Sequence, residues 1–139
     1  MTARTAIVAL AIGGAICAIA GCGGGPTDPR GGLLPAGRWT GDGACLSVAE
    51  SECDLAVGCG HGRFPRPTLD SNGTFDVGGT YRIEIGPVSI DPAPPARFTG
   101  TLSNSSSTLT FRVVPAAPLP SASYVLHPAP AGGCPVPCV

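Results

Sequence analysis

The chain has 139 residues and a formal net charge of −1 at pH 7, with 12% of its residues charged and 43% hydrophobic. Its eight basic residues are all arginines scattered along the sequence, so no basic stripe exists to collect nucleic-acid phosphates, and nucleic acid is excluded as a partner. The length suits one domain.

The first twenty-two residues are organised as an export signal. Met1-Thr2-Ala3-Arg4 is a short basic start, and Ala6 to Ala20 follow without a charge. The run is too short and too rich in Gly and Ala to read as a membrane span, which needs ~20 strongly apolar residues. Ile19-Ala20-Gly21-Cys22 closes it with small residues before a cysteine. This segment resembles the signal of a bacterial lipoprotein. The resemblance implies cleavage before Cys22, acylation of that thiol, and membrane lipid as the partner it inserts into. Gly23, rather than aspartate, follows Cys22; likeness to known sorting signals then implies the outer membrane in a cell with two membranes. The expected divisions are residues 1–21 as signal, 22–36 as lipidated cysteine and Gly/Pro-rich tether, and 37–139 as the folded domain. Cleavage would leave seven arginines against nine acids, a net charge of −2.

Beyond the tether the pattern is all-β. Ala44, Leu46 and Val48 alternate with Cys45 and Ser47, and Leu55, Val57 and Cys59 alternate with Ala56 and Gly58, around a polar AESE turn. Gly62-Arg63-Phe64 is a short run ended by prolines. Asn72-Gly73 is a tight-turn signal, from which Thr74–Val77 leaves as a strand. Gly78-Gly79 marks a bend or bulge, and Tyr81, Ile83 and Ile85 share one face of the next run. The proline-rich segment Gly86–Pro95 precedes two strands around Ser103–Ser107, and Ser123–Leu126 is the last strand. About eight short strands predict a small antiparallel barrel, with a sandwich as the alternative. A barrel is preferred because closure removes exposed edges. Its interior is expected to be filled by Leu46, Val57, Phe75, Tyr81, Ile83, Phe98, Phe111 and Tyr124.

A resemblance can be read from Trp39-x-Gly41, Leu46-x-Val48, Cys59-x-His61-Gly62, Gly73-x-Phe75-x-Val77-x-Gly79, Ala96-Arg97-Phe98-x-Gly100, Leu109-x-Phe111-x-Val113 and a terminal cysteine. In this order they look like a family of small bacterial lipoproteins without an assigned activity. The likeness runs from about Gly37 to Cys138 and implies fold and address only. Gly37-Arg38-Trp39 is also similar to the opening of lipocalin-like barrels, where the tryptophan plugs one end.

Cys17 leaves with the signal and Cys22 takes the lipid, so Cys45, Cys53, Cys59, Cys134 and Cys138 remain. Disulfides are their default state in an oxidising envelope. Cys59 shares the parity of Leu55 and Val57, and Cys134 follows the final strand. Cys59–Cys134 is the favoured pair, and it matches the cysteines that recur in the resembled family. Cys45–Cys53 comes next and Cys45–Cys138 is the alternative, with Cys138 as the spare thiol.

Chemistry-bearing clusters are few. Cys59-Gly60-His61 with Cys134 could begin a soft-metal site, or Cys59 with His61 a nucleophile and base. Against both stand the tendency of exported cysteines to pair and the lack of an orienting Asn or Asp. No G-x-S-x-G occurs, and Glu50, Glu52 and Asp54 sit at an expected hairpin tip. The expected protein is therefore a non-enzymatic envelope lipoprotein that needs no metal or cofactor and serves as a binding or structural module. A calycin-type small-ligand carrier, an inhibitor of an envelope-directed enzyme using the Gly86–Pro95 loop, and a Cys/His metal-binding protein are the alternatives.

Overall fold

The computed structural model describes residues 32–84 and 92–135. Eight strands follow in chain order: β1 (Gly37–Gly41), β2 (Ala44–Val48), β3 (Glu52–Val57), β4 (Gly60–Pro65), β5 (Thr74–Ile83), β6 (Pro95–Leu102), β7 (Leu109–Pro115) and β8 (Ala122–Ala129). Each pairs antiparallel with its neighbour in sequence, and β8 returns to β1, closing an up-and-down barrel. The expected barrel is the observed one.

Alternation does the sorting, because successive side chains point to opposite faces of a strand. In β7 the pattern is strict: Leu109, Phe111, Val113 and Pro115 are buried while Thr110, Arg112 and Val114 are exposed. All four phenylalanines of the chain, Phe64, Phe75, Phe98 and Phe111, meet inside. Phe64 and Phe98 stack at 4.4 Å between centroids, and Phe111 lies 5.8 Å from Phe64 and 6.0 Å from Phe98. Such pairs contribute ~0.5–1.5 kcal/mol each beyond area burial. Glycines make room for them. A side chain on Gly79 would run into the Arg63 carbonyl and the Phe98 ring, and one on Gly100 into Phe75. Gly78-Gly79 was expected as a bend or bulge, and β5 runs through it as one strand of ten residues. Thr74–Gly79 pair with β6, Thr80 with both neighbours, and Tyr81–Ile83 with β4.

Of the expected filling, Leu46, Phe75, Tyr81, Phe98 and Phe111 are buried, while Val57, Ile83 and Tyr124 pack partly buried against them. Trp39 is buried too and donates from Nε1 to the Pro35 carbonyl at 3.3 Å. The remaining large core residues include Leu34, Leu55, Phe64, Leu69, Leu102, Leu109 and Leu126.

Leu34 corrects the expected tether, which was to run to residue 36. Of that segment, residues 22–31 lie outside the described residues, but the chain is already packed at Gly32. Leu69 N donates to Gly32 O at 2.7 Å, Leu34 N donates to Pro67 O at 2.9 Å, and Leu33 bridges Thr68. Leu34 is fully buried and plugs the barrel end formed by the β4–β5 connection. Two leucines in a Gly/Pro-rich stretch supply the apolar area that holds the segment down.

Asp70–Gly73 makes the expected turn inside that connection. Asp70 Oδ1 accepts from Asn72 N at 2.8 Å and Thr74 N at 2.9 Å, and Gly73 adopts φ +75°. It is not the tip of a tight hairpin, because β4–β5 pairing begins only at Arg63 and Thr80.

Candidate functional site

Strand alternation gives the barrel two distinct ends. One carries the incoming chain at residues 32–36, the 49–51 and 66–73 connections, the 103–108 turn and the end of β8. The other carries the 42–43 and 58–59 turns, the end of β5 and start of β6, and the 116–121 connection.

At the second end no plug occurs among the described residues. An apolar cleft of about 310 Å³ opens there, lined by Tyr81 and Ile83 of β5, Pro94 before β6, and Ala116–Leu119 between β7 and β8. Two inward phenols sit near it. The Tyr81 hydroxyl occupies the space that a side chain on Gly60 would take. Burial pushes the Tyr81 hydroxyl up from its ordinary pKa, with Tyr124 adding to the effect, and burial does the same to Tyr124. Among the described residues neither phenol has a hydrogen-bond partner, and neither oxygen is sealed from solvent. Below the cleft the phenylalanine cluster blocks the barrel, so the cleft is a mouth and not a channel.

A polar hollow of about 210 Å³ lies beside it on the outer face of β3–β5, lined by Asp54, His61, Arg63, Thr80, Arg82 and Ala93. Its charges are already matched. Arg63 Nε lies 3.1 Å from both Glu52 and Asp54, and Arg82 donates to Glu84 at 2.9–3.0 Å. His61 Nε2 is 3.9 Å from Glu84, beyond hydrogen-bond range. No uncompensated cation is left to hold an anion.

The cysteine pairing differs from the expectation. Cys45 is bonded to Cys134, and Cys53 is a buried free thiol. Neither Cys59–Cys134 nor Cys45–Cys53 forms. The reason is register. Cys45 stands opposite Ala56, whereas Cys53 stands opposite Val48, so Cys45 faces outward and Cys53 inward. After β8 the chain turns back over β1 past Arg38 and covers Cys45, which is only 5% exposed on the outer face. Cys59 lies in the β3–β4 turn and not at the end of an inward row. It is also disulfide-bonded, and the partner is not among the described cysteines, since Cys45, Cys53 and Cys134 are accounted for. With Cys59 and Cys134 both oxidised, the imagined Cys59–His61–Cys134 metal cluster has no thiolates, and no group of three metal-ligating side chains occurs among the described residues.

No family model, curated protein or solved structure matches this chain. Cys22, the signal 1–21, Cys138 and most of the Gly86–Pro95 loop lie outside the described residues. The cleft lining from Ala116 to Leu119 was passed over in the sequence as Pro/Ala-rich connection. Leu119, a lone large apolar residue in that stretch, is the signal that could have marked it.

Proposed function

We propose that this protein is a lipid-anchored module of the bacterial envelope, non-enzymatic, tethered through Cys22 and presenting its open barrel end away from the membrane as a binding site. The lipobox-like Ile19-Ala20-Gly21-Cys22 supports the address. The observation that carries the functional reading is the opposition of the two ends. The chain arrives at the end plugged by Leu34 and Leu69, while the apolar mouth lined by Tyr81, Ile83 and Leu119 opens at the other. Residues 23–31 would be the only spacer between lipid and barrel, so the plugged end would sit toward the membrane and the mouth toward the surrounding space.

A binding role fits the chemistry better than catalysis. The acids and arginines of the polar hollow neutralise each other, and the one free thiol among the described residues, Cys53, is buried with its pKa pushed up to about 12 by burial, which keeps it protonated and unreactive. Of the narrower readings, the apolar mouth favours the small-ligand carrier. The test is the N-terminus of the protein recovered from envelope fractions of a bacterium with lipoprotein processing. Mass spectrometry should find a chain beginning at a modified Cys22; an intact residue 1–21 segment on the membrane-bound form would refute the reading.

A further inference from the structure

We infer that the mouth takes a small, uncharged, largely apolar molecule carrying one hydroxyl or carbonyl, its body against Ile83, Pro94 and Leu119 and its polar atom on the Tyr81 hydroxyl. The inference rests on the binding-module reading and names the ligand class of that site.

Three observations fix the class. The first is size. Small-molecule sites run ~300–1,000 Å³, and at about 310 Å³ this cleft stands at the bottom of that range. One fused ring system or one short aliphatic chain fits, and a two-chain lipid does not. The second is charge. Among the described residues Arg82 is the one charged group in the lining, and Glu84 holds its guanidinium at 2.9 Å. A charged ligand would lose its hydration without a counter-charge to replace it. The third is the phenol. Tyr81 is 7% exposed, lines the cleft, and has no hydrogen-bond partner among the described residues. Gly60 leaves the space in which that hydroxyl sits. An apolar wall with one accessible polar atom that no protein group occupies is the usual construction of a small-molecule site: apolar area supplies affinity and the polar atom orients the ligand.

Two fluorescent probes of the same ring separate these terms: 1-naphthol, which carries the hydroxyl, and naphthalene, which lacks it. The protein is the whole mature chain from residue 22 with Cys22→Ser, exported behind a general secretory signal, so that no acyl chain or detergent competes for the cleft. Saturable one-to-one binding of 1-naphthol is expected, with Kd on the order of 10 μM for so small a ligand. Naphthalene should bind roughly fivefold more weakly, the worth of one net hydrogen bond. Tyr81→Phe should abolish the difference between the probes while keeping naphthalene binding. Ala117→Trp, at an exposed position on the rim, should block both probes by filling the cleft, and Leu119→Asp should block both by charging it.

Because Ala117 has no buried contact to lose, its variant stays informative even if Leu119→Asp fails to fold. Absence of saturable binding, or binding unchanged in Ala117→Trp, would overturn the site. Equal affinity for the two probes in the parent chain would overturn the role of Tyr81. A Cys22→Ser chain that binds neither probe, beside a wild type that is acylated at Cys22, would sink this inference and leave the envelope anchoring intact. A chain that binds 1-naphthol at the mouth but is never acylated would do the reverse.

Discussion

Arg66 donates from Nε to the backbone carbonyl of Leu34 across 2.7 Å, although the two residues are 32 positions apart. Its Nη1 reaches on to the Glu50 carbonyl at 3.4 Å. One side chain therefore joins the incoming chain, the β2–β3 turn and the β4–β5 connection at the plugged end of the barrel. The segment that the composition marks as a spacer is part of the fold from Gly32 onward.

Leu34→Ala should consequently behave as a core substitution. Removing a fully buried leucine costs ~2–5 kcal/mol, and chemical denaturation should show the midpoint falling accordingly. A loss below ~0.5 kcal/mol, the value for an exposed linker residue, would show that the plug does not pack.

Asp42 extends the seam that closes the barrel. β1 and β8 share only three register pairs, Arg38 to Thr40 against Ala129 to His127. The Asp42 carboxylate, on a turn residue at φ 52°, accepts from Val125 N at 2.7 Å and continues the ladder where β1 has ended. Asp42→Ala should cost about 1 kcal/mol and raise amide exchange at Val125. Asp42→Asn, which keeps the acceptor, should recover most of the protection. Unchanged exchange at Val125 in Asp42→Ala would refute this role.

The disulfide map is a third test. The Cys45–Cys134 bridge closes a sequence separation of 89 residues, worth ~4–5 kcal/mol on the chain-entropy model. Non-reducing peptide mapping should find Cys45 with Cys134 and Cys53 alkylated only after unfolding. If Cys22 carries lipid, Cys138 is the one thiol of the mature chain left for Cys59, and that pair should complete the map. Rapid alkylation of Cys53 in the native protein would contradict its place inside the barrel.

Acid and alkali should act through different residues. The Asp70 carboxyl is held below its usual range, chiefly by the Thr74 hydroxyl and amide. Its folded pKa lies below the unfolded one, so its contribution is present above about pH 4 and fades as pH falls through the folded value. Cys53 works in the opposite sense. Its thiol is pushed up to about 12 by burial from a model-peptide value of 9.0, so the unfolded chain releases its proton first and stability falls as pH rises from about 9 toward 12. Cys53→Ala should flatten the alkaline limb of a stability–pH curve, and Asp70→Asn the acid limb. Limbs unaltered by these substitutions would refute the assignments.

Much of the barrel was legible because its strands alternate and its turns are punctuated. The alternation of Leu109, Phe111 and Val113 reads the same in sequence and in space, and so does the Asp70–Gly73 turn. The first hairpin was harder. Alternation along β2 and β3 gives the faces of Cys45 and Cys53 but not the register, in which Val48 stands opposite Cys53. Parity along a strand determines the face; the number of residues spent in the 49–51 turn sets the register. The Cys45–Cys134 pairing was beyond reach for another reason. It depends on a tail that doubles back over the outer face of β1, and no periodicity encodes where a Gly/Pro segment travels. The cleft was missed likewise, since two of its walls are connections rather than strands.

Metabolic labelling with an alkyne fatty acid tests the envelope assignment most directly. The full chain and its Cys22→Ser variant are expressed side by side in a bacterium with lipoprotein-processing enzymes, and incorporation is read on the purified protein. The expected result is a labelled wild type in the membrane fraction and an unlabelled Cys22→Ser. Label persisting in Cys22→Ser, or a wild type that is exported, folded and unlabelled, would contradict the anchoring on which the reading of the two barrel ends depends.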